Sequence, residues 1–187
     1  MSLTTTLLIV PGLRDPSPRH WQTLLAVRVP GSRSLPPLGR AALDVALHCD
    51  ALEQAVRLIA APVILVAHSA GCLTVAHWAQ HTRCEIRGAL LAVPPDFDTP
   101  LPEGYPSPAE LDAGGWLPVP RDPLPFPSLV AASRDDPLAT FDHVVGLAGA
   151  WGSRLVDLGS VGHLNPASGY GPWPQAEHLI DEIAAFA

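Results

Sequence analysis

Residues 62–79 read PVILVAHSAGCLTVAHWA and contain the change of pattern on which the fold prediction depends. Residues 63–67 are apolar and mostly β-branched, which is typical of a buried strand. Beyond Ser69, residues 72–81 carry apolar side chains at helical spacing. The pattern therefore predicts a strand and a helix joined by a very tight turn at His68 and Ser69.

Small residues surround Ser69. Ala67 and Gly71 lie two positions before and after it, where bulky side chains in a tight turn would collide. A serine at the apex of such a turn is strained and exposes its hydroxyl at the carboxyl edge of the sheet, beside a helix N-terminus. The amide of Ala70, just past the apex, would then donate to an oxyanion. These residues alone leave two interpretations of Ser69, a nucleophile or an N-cap.

Further apolar, β-branched runs alternate with helix-like segments along the chain, which predicts a parallel sheet. We expect a single-domain α/β fold with about six mostly parallel strands and helices on both faces. The predicted strands are 6–10, 63–67, 88–93, 128–132 and 154–158, with a second strand near Val27–Val29. The predicted helices are 20–28, 43–60, 72–81 and 141–151, followed by a C-terminal helix with Leu179, Ile180, Ile183 and Phe186 on one stripe.

Proline is concentrated in one segment, residues 94–127, which hold 11 of the 22 prolines. Such a segment excludes a long helix or a central strand. Long loops inside one domain are usually lids or binding loops, so we expect a lid or rim here. Its aromatic residues are predicted to cover the core rather than to line a pocket; they are Phe97, Tyr105, Trp116 and Phe126.

Composition excludes several classes of protein. The 187 residues contain no apolar run near the roughly 20 that a membrane span requires, and the N-terminus lacks the features of a secretory signal. The formal net charge is −7 and the 11 basic residues are all scattered arginines, which argues against a nucleic-acid partner. Three cysteines without a CxxC motif favour reduced thiols. We expect a cytoplasmic protein without nucleic-acid or membrane partners.

No motif indicates a cofactor or a metal. The stretch PGLRDPSPRHW has a single glycine, Gly12, and does not fit a dinucleotide fingerprint. His77 and His81 are four residues apart on a predicted helix, but residue 78 is Trp where a HExxH motif has Glu. We therefore predict neither a cofactor nor a metal ligand.

A nucleophilic serine needs a base and an acid, and both candidates follow predicted strands. His163 lies in the Gly-rich stretch DLGSVGHLNPASGYGPW after strand 154–158; the alternative is an exposed loop histidine. Asp135 and Asp136 follow strand 128–132, and either could reach His163; the alternative is an N-cap or Asx turn. The chain order Ser69, Asp, His163 is that of the α/β-hydrolases.

Five segments carry a resemblance to a known family: VPGLRDPSPRHWQ, LVAHSAG, ALLAVPPD, ASRDDP and LGSVGHLNPASGYGPWP. The chain resembles the small serine hydrolases of the α/β-hydrolase superfamily that include retinoblastoma-binding protein 9 and the bacterial YdeN-like proteins. The resemblance implies Ser69 as nucleophile, His163 as general base and Asp136, rather than Asp135, as the acid. It also implies a second oxyanion donor, the amide of Leu13.

Two features depart from the family pattern. Ala67 replaces the first glycine of the common GxSxG pattern, and residues 29–45 lack the Trp-rich stretch expected of close relatives. An alanine is sterically acceptable at that turn, and the altered segment affects local structure and the shape of the pocket rather than the triad. The resemblance places His68 outside the triad, and we expect it to give structural support.

Two function classes follow. The first is a cofactor-free serine hydrolase that cleaves a small ester, amide or thioester in a shallow pocket open to small acyl substrates. The second is a binding or scaffold protein on a hydrolase fold, with little catalytic activity; a protein partner is possible, but the sequence does not identify one.

Overall fold

The computed structural model describes residues 5–14, 16–38, 43–60 and 62–186. Strands and helices alternate along this part of the chain, as the sequence predicted. In chain order they are β1 (Thr6–Val10), α1 (Trp21–Arg28), β2 (Arg33–Ser34), α2 (Val45–Arg57), β3 (Val63–His68), α3 (Ala70–Ala79), β4 (Gly88–Ala92), α4 (Pro108–Ala113), β5 (Ser128–Ala132), α5 (Phe141–Ala150), β6 (Arg154–Asp157) and α6 (Gln175–Ala185).

The strands form one parallel sheet in the order β2-β1-β3-β4-β5-β6. The register pairs Val10 with Ala67 and His68 with Ala92, so the carboxyl ends of β1, β3 and β4 lie side by side. From β1 the chain continues to β2 at one edge, whereas from β3 it continues to β4 in the opposite direction. Such a reversal creates a crevice beyond the carboxyl ends of the two strands. The sheet order thus places a crevice between the loops after β1 and β3.

Alternate residues of the strands face two separate apolar clusters, which the period of two in a strand requires. On one face, Leu8 and Leu65 pack with residues of α2, α3 and α5. On the other, Ile9 and Ile64 pack with residues of α1 and α6. Helices therefore cover both faces, as predicted. The α6 stripe is confirmed for its three buried members, Leu179, Ile180 and Ile183, with Phe186 partly buried at the end of the helix.

The predicted second strand near Val27–Val29 is wrong. Residues 21–28 form α1, and Val29 is its C-cap. The observed β2 is Arg33–Ser34, which pairs with Leu8 and Ile9 of β1. Both β2 residues are exposed, so this two-residue edge strand is held by backbone hydrogen bonds and leaves no hydrophobic pattern in the sequence.

The Pro-rich segment 94–127 packs against the body of the domain. It contains one helix, α4, whose Ser107 and Glu110 form a capping box. Phe97, Trp116 and Phe126 are buried in the same apolar cluster as α2 and α3, as predicted, whereas Tyr105 is only partly buried. Phe97 and Tyr105 also line a cavity, which the prediction did not expect of the aromatic residues in this segment. Among the described residues, no helix is both long and apolar enough to cross a membrane.

Candidate active site

Ser69 connects β3 to α3 without any intervening residue. Its backbone has φ 57° and ψ −133°, a conformation that non-glycine residues adopt rarely and only when the surrounding structure enforces it. Its amide donates to the carbonyl of Ala92 at 3.0 Å, which ties the turn to the end of β4. Ser69 occupies the N-cap position of α3, but its side chain makes no capping hydrogen bond. The hydroxyl is therefore available to another partner.

Two glycines allow the backbone to approach this turn. A Cβ on Gly71 would lie 2.5 Å from the carbonyl oxygen of Val10 and 2.7 Å from that of Pro11. A small residue is thus required at this position, as the sequence indicated, but the atoms nearest to it belong to the end of β1 and the loop after it rather than to Ala67. A Cβ on Gly12 would lie 3.1 Å from the Cβ of Ser69. The loop after β1 thus lies directly against the serine.

His163 is the partner of the Ser69 hydroxyl. Its Nε2 is 2.9 Å from Ser69 Oγ, and its Nδ1 is 2.8 and 3.0 Å from the two carboxylate oxygens of Asp136. The side chains of His163 and Asp136 are 6% and 1% exposed. Because a carboxylate only accepts, Nδ1 carries a proton, and in the neutral imidazole this tautomer leaves the Nε2 lone pair facing the serine. His163 is thus a buried residue and not an exposed loop histidine.

The two neighbouring aspartates have different contacts. Besides His163, Asp136 accepts from the amide of Leu138 at 2.9 Å, which is the Asx turn that the sequence offered as an alternative. Asp135 instead accepts from the amide of Gly162 at 2.7 Å and from the hydroxyl of Ser133 at 2.9 Å. These bonds, the Gly162 amide first, lower the pKa of Asp135. Asp136 therefore contacts the imidazole of His163, whereas Asp135 bonds the loop in which His163 lies.

The loop around His163 has an unusual backbone. Gly162 and Leu164, on either side of it, both have positive φ, 56° and 45°. The amide of His163 donates to Ser168 Oγ at 3.0 Å, and the Ser168 hydroxyl donates to Asn165 Oδ1 at 3.1 Å. Neither Ser168 nor Asn165 was predicted from the sequence, because polar residues in a Gly- and Pro-rich loop carry no periodic signal.

Leu13 and Ala70, whose amides are the two predicted oxyanion donors, both lie at the site of Ser69. Ala70 is the first residue of α3, where an amide has no acceptor inside the helix. Leu13 follows Gly12 in the loop after β1, and both Leu13 and Ala70 line the cavity that contains Ser69 and His163. The partial positive charge of a helix N-terminus favours an anion at this position.

The described residues enclose a cavity of about 730 Å³ at the carboxyl edge of the sheet. This lies within the range of about 300–1,000 Å³ that is usual for small-molecule sites. Its lining includes residues of α1 and of the segment after β2, such as Ala26 and Leu35, and residues of the Pro-rich segment, such as Phe97 and Leu101. The cavity is larger than the shallow pocket that we predicted, because aromatic and proline side chains of residues 94–127 form part of its lining.

Two further histidines lie beside His163. The ring centroids of His68 and His163 are 5.0 Å apart, and those of His20 and His68 are 4.7 Å apart. Burial holds the pKa of His68 well below its ordinary value, and the His163 and His20 rings lower it further. Burial and then His163 lower the pKa of His20 to about 4. Both imidazoles are therefore uncharged at neutral pH.

One group of metal-ligand types occurs among the described residues, formed by Asp96, Asp98 and His143. Asp96 accepts from the Asp98 amide at 2.9 Å and from the Thr99 hydroxyl at 3.1 Å. Asp98 pairs with Arg121 at 2.7 Å. Protein groups thus bond the carboxylate oxygens of both aspartates, and these bonds stabilise the loop after β4. His77, one of the two helical histidines of the sequence pattern, has its Nε2 3.1 Å from the carbonyl oxygen of Trp116.

A parallel sheet in this order, with a strained serine between a central strand and the following helix, is the fold of the α/β-hydrolases. Comparison with protein families then identifies the chain more closely. A family model described as "Serine hydrolase" matches residues 7–182, so the chain belongs to this serine hydrolase family. Comparison with curated proteins finds no match.

Solved structures agree with this assignment. A protein of Pectobacterium atrosepticum described as a YdeN-like hydrolase is 30% identical, with a TM-score of 0.82 over 96% of this chain and 90% of that one. The ydeN gene product of B. subtilis is 20% identical, with a TM-score of 0.75 over 96% and 98% of the two chains. Est1E of Butyrivibrio proteoclasticus, solved with ferulic acid bound, is 14% identical, with a TM-score of 0.71 over 100% and 89%. The resemblance to the YdeN-like proteins is confirmed; the two lower identities support the fold alone.

Proposed function

We propose that Ser69, His163 and Asp136 form a catalytic triad and that the protein hydrolyses an ester, amide or thioester through an acyl-enzyme. The observation that carries the proposal is the position of His163, 2.9 Å from the Ser69 hydroxyl and 2.8 Å from the Asp136 carboxylate. A nucleophile, a base and a group that orients the base are the parts that this chemistry needs.

In the first step, Ser69 Oγ attacks the substrate carbonyl carbon while His163 Nε2 takes the hydroxyl proton. The carbonyl oxygen becomes an oxyanion, which the amides of Leu13 and Ala70 stabilise. The tetrahedral intermediate expels the leaving group, which receives the proton from Nε2. Asp136 accepts the Nδ1 hydrogen bond throughout and stabilises the imidazolium without taking its proton.

In the second step, a water molecule gives a proton to His163 Nε2 and attacks the acyl carbon. The intermediate collapses, Ser69 leaves with the proton returned by Nε2, and the carboxylic acid is released. Every proton thus passes through one imidazole nitrogen, and the reaction requires no cofactor or metal.

The cavity favours an acyl substrate larger than an acetyl group. About 730 Å³ lies around Ser69, and most of the residues that line it are apolar. An apolar cavity gains affinity in proportion to the apolar area that the ligand buries, about 25 cal/mol per Å². We expect rates with p-nitrophenyl esters to rise with acyl length beyond acetate. Ala26→Trp and Leu101→Trp add bulk to the lining from α1 and from the Pro-rich segment, respectively. The variant that fills the acyl-binding part of the cavity should shift the preference to shorter acyl chains.

Intact-mass spectrometry after incubation with a fluorophosphonate tests the proposed triad. The native chain and a control variant at an exposed position, His81→Ala, should each gain one adduct. Ser69→Ala should gain none, and His163→Ala should react slowly. If folded native protein gains no adduct, the serine is not activated, and the binding-protein function replaces the hydrolase.

A further inference from the structure

His68 lies next to Ser69 in the sequence but contacts a different part of the site. It is the last residue of β3, is 6% exposed, and its side chain lies on the sheet face of α1 and α6. Its Nε2 is 3.0 Å from the carbonyl oxygen of His163. Because a carbonyl only accepts, Nε2 carries the proton and donates it.

The backbone of His163 is therefore held at both of its polar atoms. Ser168 Oγ accepts from the amide at 3.0 Å, and His68 donates to the carbonyl oxygen at 3.0 Å. The next residue, Leu164, has φ 45°, a backbone conformation that is strained for a residue with a branched side chain, whereas the positive φ of Gly162 is ordinary for glycine. Strained backbone persists only where its surroundings enforce it, and these two side chains contribute to that restraint beside the bond from the Gly162 amide to Asp135.

We propose that His68 is a positioning residue, which fixes the His163 carbonyl and so holds the imidazole in line between Asp136 and Ser69. The inference rests on the proposed triad. Rotation of the His163 peptide would move Nε2 away from Ser69 Oγ, and a misplacement of about 1 Å costs on the order of 100-fold in rate.

The neighbours of His68 keep this donor in place. Its ring packs edge-on against His20 at 4.7 Å and against Trp21 at 6.0 Å between ring centroids. His20 is the N-cap of α1, where its Nδ1 accepts from the amide of Gln22 at 3.2 Å. Burial, the first cause of its lowered pKa, also keeps His68 uncharged, so no second cation adjoins the imidazolium that forms on His163.

Three variants separate a hydrogen-bonding role from a packing role. His68→Gln keeps an N–H donor at a reach similar to that of Nε2, His68→Asn keeps an amide that is too short, and His68→Leu has no donor. Each is compared with the native chain for folding by circular dichroism, for kcat and KM with a p-nitrophenyl ester, and for the rate of fluorophosphonate labelling. His81→Leu is the control for the loss of an exposed histidine.

We expect His68→Leu and His68→Asn to lower kcat and the labelling rate about 10- to 100-fold, with KM within about twofold of native. In His68→Gln, kcat and the labelling rate should both be within a few-fold of the native values. Equal rates for folded His68→Gln and His68→Asn would overturn the proposal, and that pair decides the result if His68→Leu does not fold. Unchanged kcat in His68→Leu with lowered thermal stability would assign His68 to packing alone.

A proton resonance separates this inference from the proposed function. The Nδ1 proton of His163, bonded to Asp136, should appear far downfield in the native spectrum, be retained in His68→Gln and be lost in His68→Asn. If the native chain is not labelled, the hydrolase proposal fails, whereas loss of this resonance in His68→Asn still supports the positioning role. Its persistence in His68→Asn and His68→Leu would refute that role.

Discussion

The two adjacent aspartates that follow β5 contact different parts of the site. Asp136 directs both carboxylate oxygens at His163 Nδ1, at 2.8 and 3.0 Å. Asp135 bonds the Gly162 amide at 2.7 Å instead. The resemblance chose Asp136, but the residues alone left both open, since the sequence does not reveal the direction of either side chain.

Asp136→Asn tests this distinction. Oδ1 of Asp136 accepts from the Leu138 amide at 2.9 Å, so an asparagine would keep its oxygen there and turn its NH₂ toward His163. Nδ1 would then lose its proton to avoid two facing donors, and Nε2–H would point at Ser69. Such a histidine cannot act as a base, and we expect kcat for an aryl ester to fall on the order of 10⁴-fold.

Asp135→Asn is the matched control, because its amide oxygen still accepts from Gly162. It should retain most of the activity. A similar loss in both variants would contradict the assignment of Asp136 as the residue that orients His163.

At the scale of elements, the turn at Ser69 depends on close contact between α3 and the end of β1. Gly71 has no room for a side chain, since a Cβ would lie 2.5 Å from the carbonyl oxygen of Val10. The sequence indicated a tight turn and a small residue, but the neighbour that imposes the limit is about 60 positions away in the chain, and periodicity carries no such information.

Gly71→Ala should therefore separate β1 from α3. Because the obstructing atoms are backbone, we expect a loss of about 1–3 kcal/mol in the free energy of unfolding and slower phosphonylation of Ser69. Gly146→Ala is the control, since Gly146 lies in α5 and an added Cβ there would meet no neighbouring atom within 4 Å. It should gain about 0.5–1 kcal/mol from helix propensity. Urea denaturation measures both, and an unaltered Gly71→Ala would contradict the packing argument.

At the scale of the whole molecule, we propose that residues 94–127 are a fixed rim rather than a mobile lid. Trp116 is fully buried, its Nε1 donates to the carbonyl of Leu43 at 2.6 Å, and its carbonyl lies 3.1 Å from His77 Nε2. Trp151 donates from Nε1 to the carbonyl of Pro120 at 2.8 Å. The segment is thus joined to the side of the domain that α2, α3 and α5 cover.

Hydrogen exchange tests the rim. We expect the amides of Leu111 and Trp116 to exchange as slowly as those of the central strands, because a part of a structure that packs into the core opens only with it. Trp116→Phe keeps the aromatic ring but removes the Nε1 donor, and should speed exchange in this segment alone. Rapid exchange there in the native chain would indicate a lid.

Acid stability is also a property of the whole domain. Burial lowers the pKa of His20 from an ordinary 6.5 to about 4 and that of His68 well below its ordinary value. Between pH 6.5 and pH 4, these two histidines bind protons in the unfolded state that they do not bind in the folded state. The free energy of unfolding should therefore fall as the pH is lowered from 6.5 toward 4. Above pH 6.5 neither histidine contributes a slope.

His20→Asn isolates this effect, since an asparagine oxygen can still cap α1 but does not titrate in this range. Urea denaturation at several pH values from 7.5 to 4.5 should give a shallower pH dependence in the variant than in the native chain. Identical slopes would show that His20 is not buried in its neutral form.

The sequence by itself determined the alternation of strands and helices, the parallel sheet, the turn at Ser69 and the region of each candidate site residue. These follow from local causes, namely the period of apolar residues, the small residues of a tight turn and the places where strands end. Only the tertiary structure decided which aspartate meets His163, that Arg33 and Ser34 form the edge strand, that the Pro-rich segment packs into the core, and that His68 bonds the His163 carbonyl. Each of these depends on the directions of groups from distant parts of the chain, which come together only when the sheet and its two helical layers have packed.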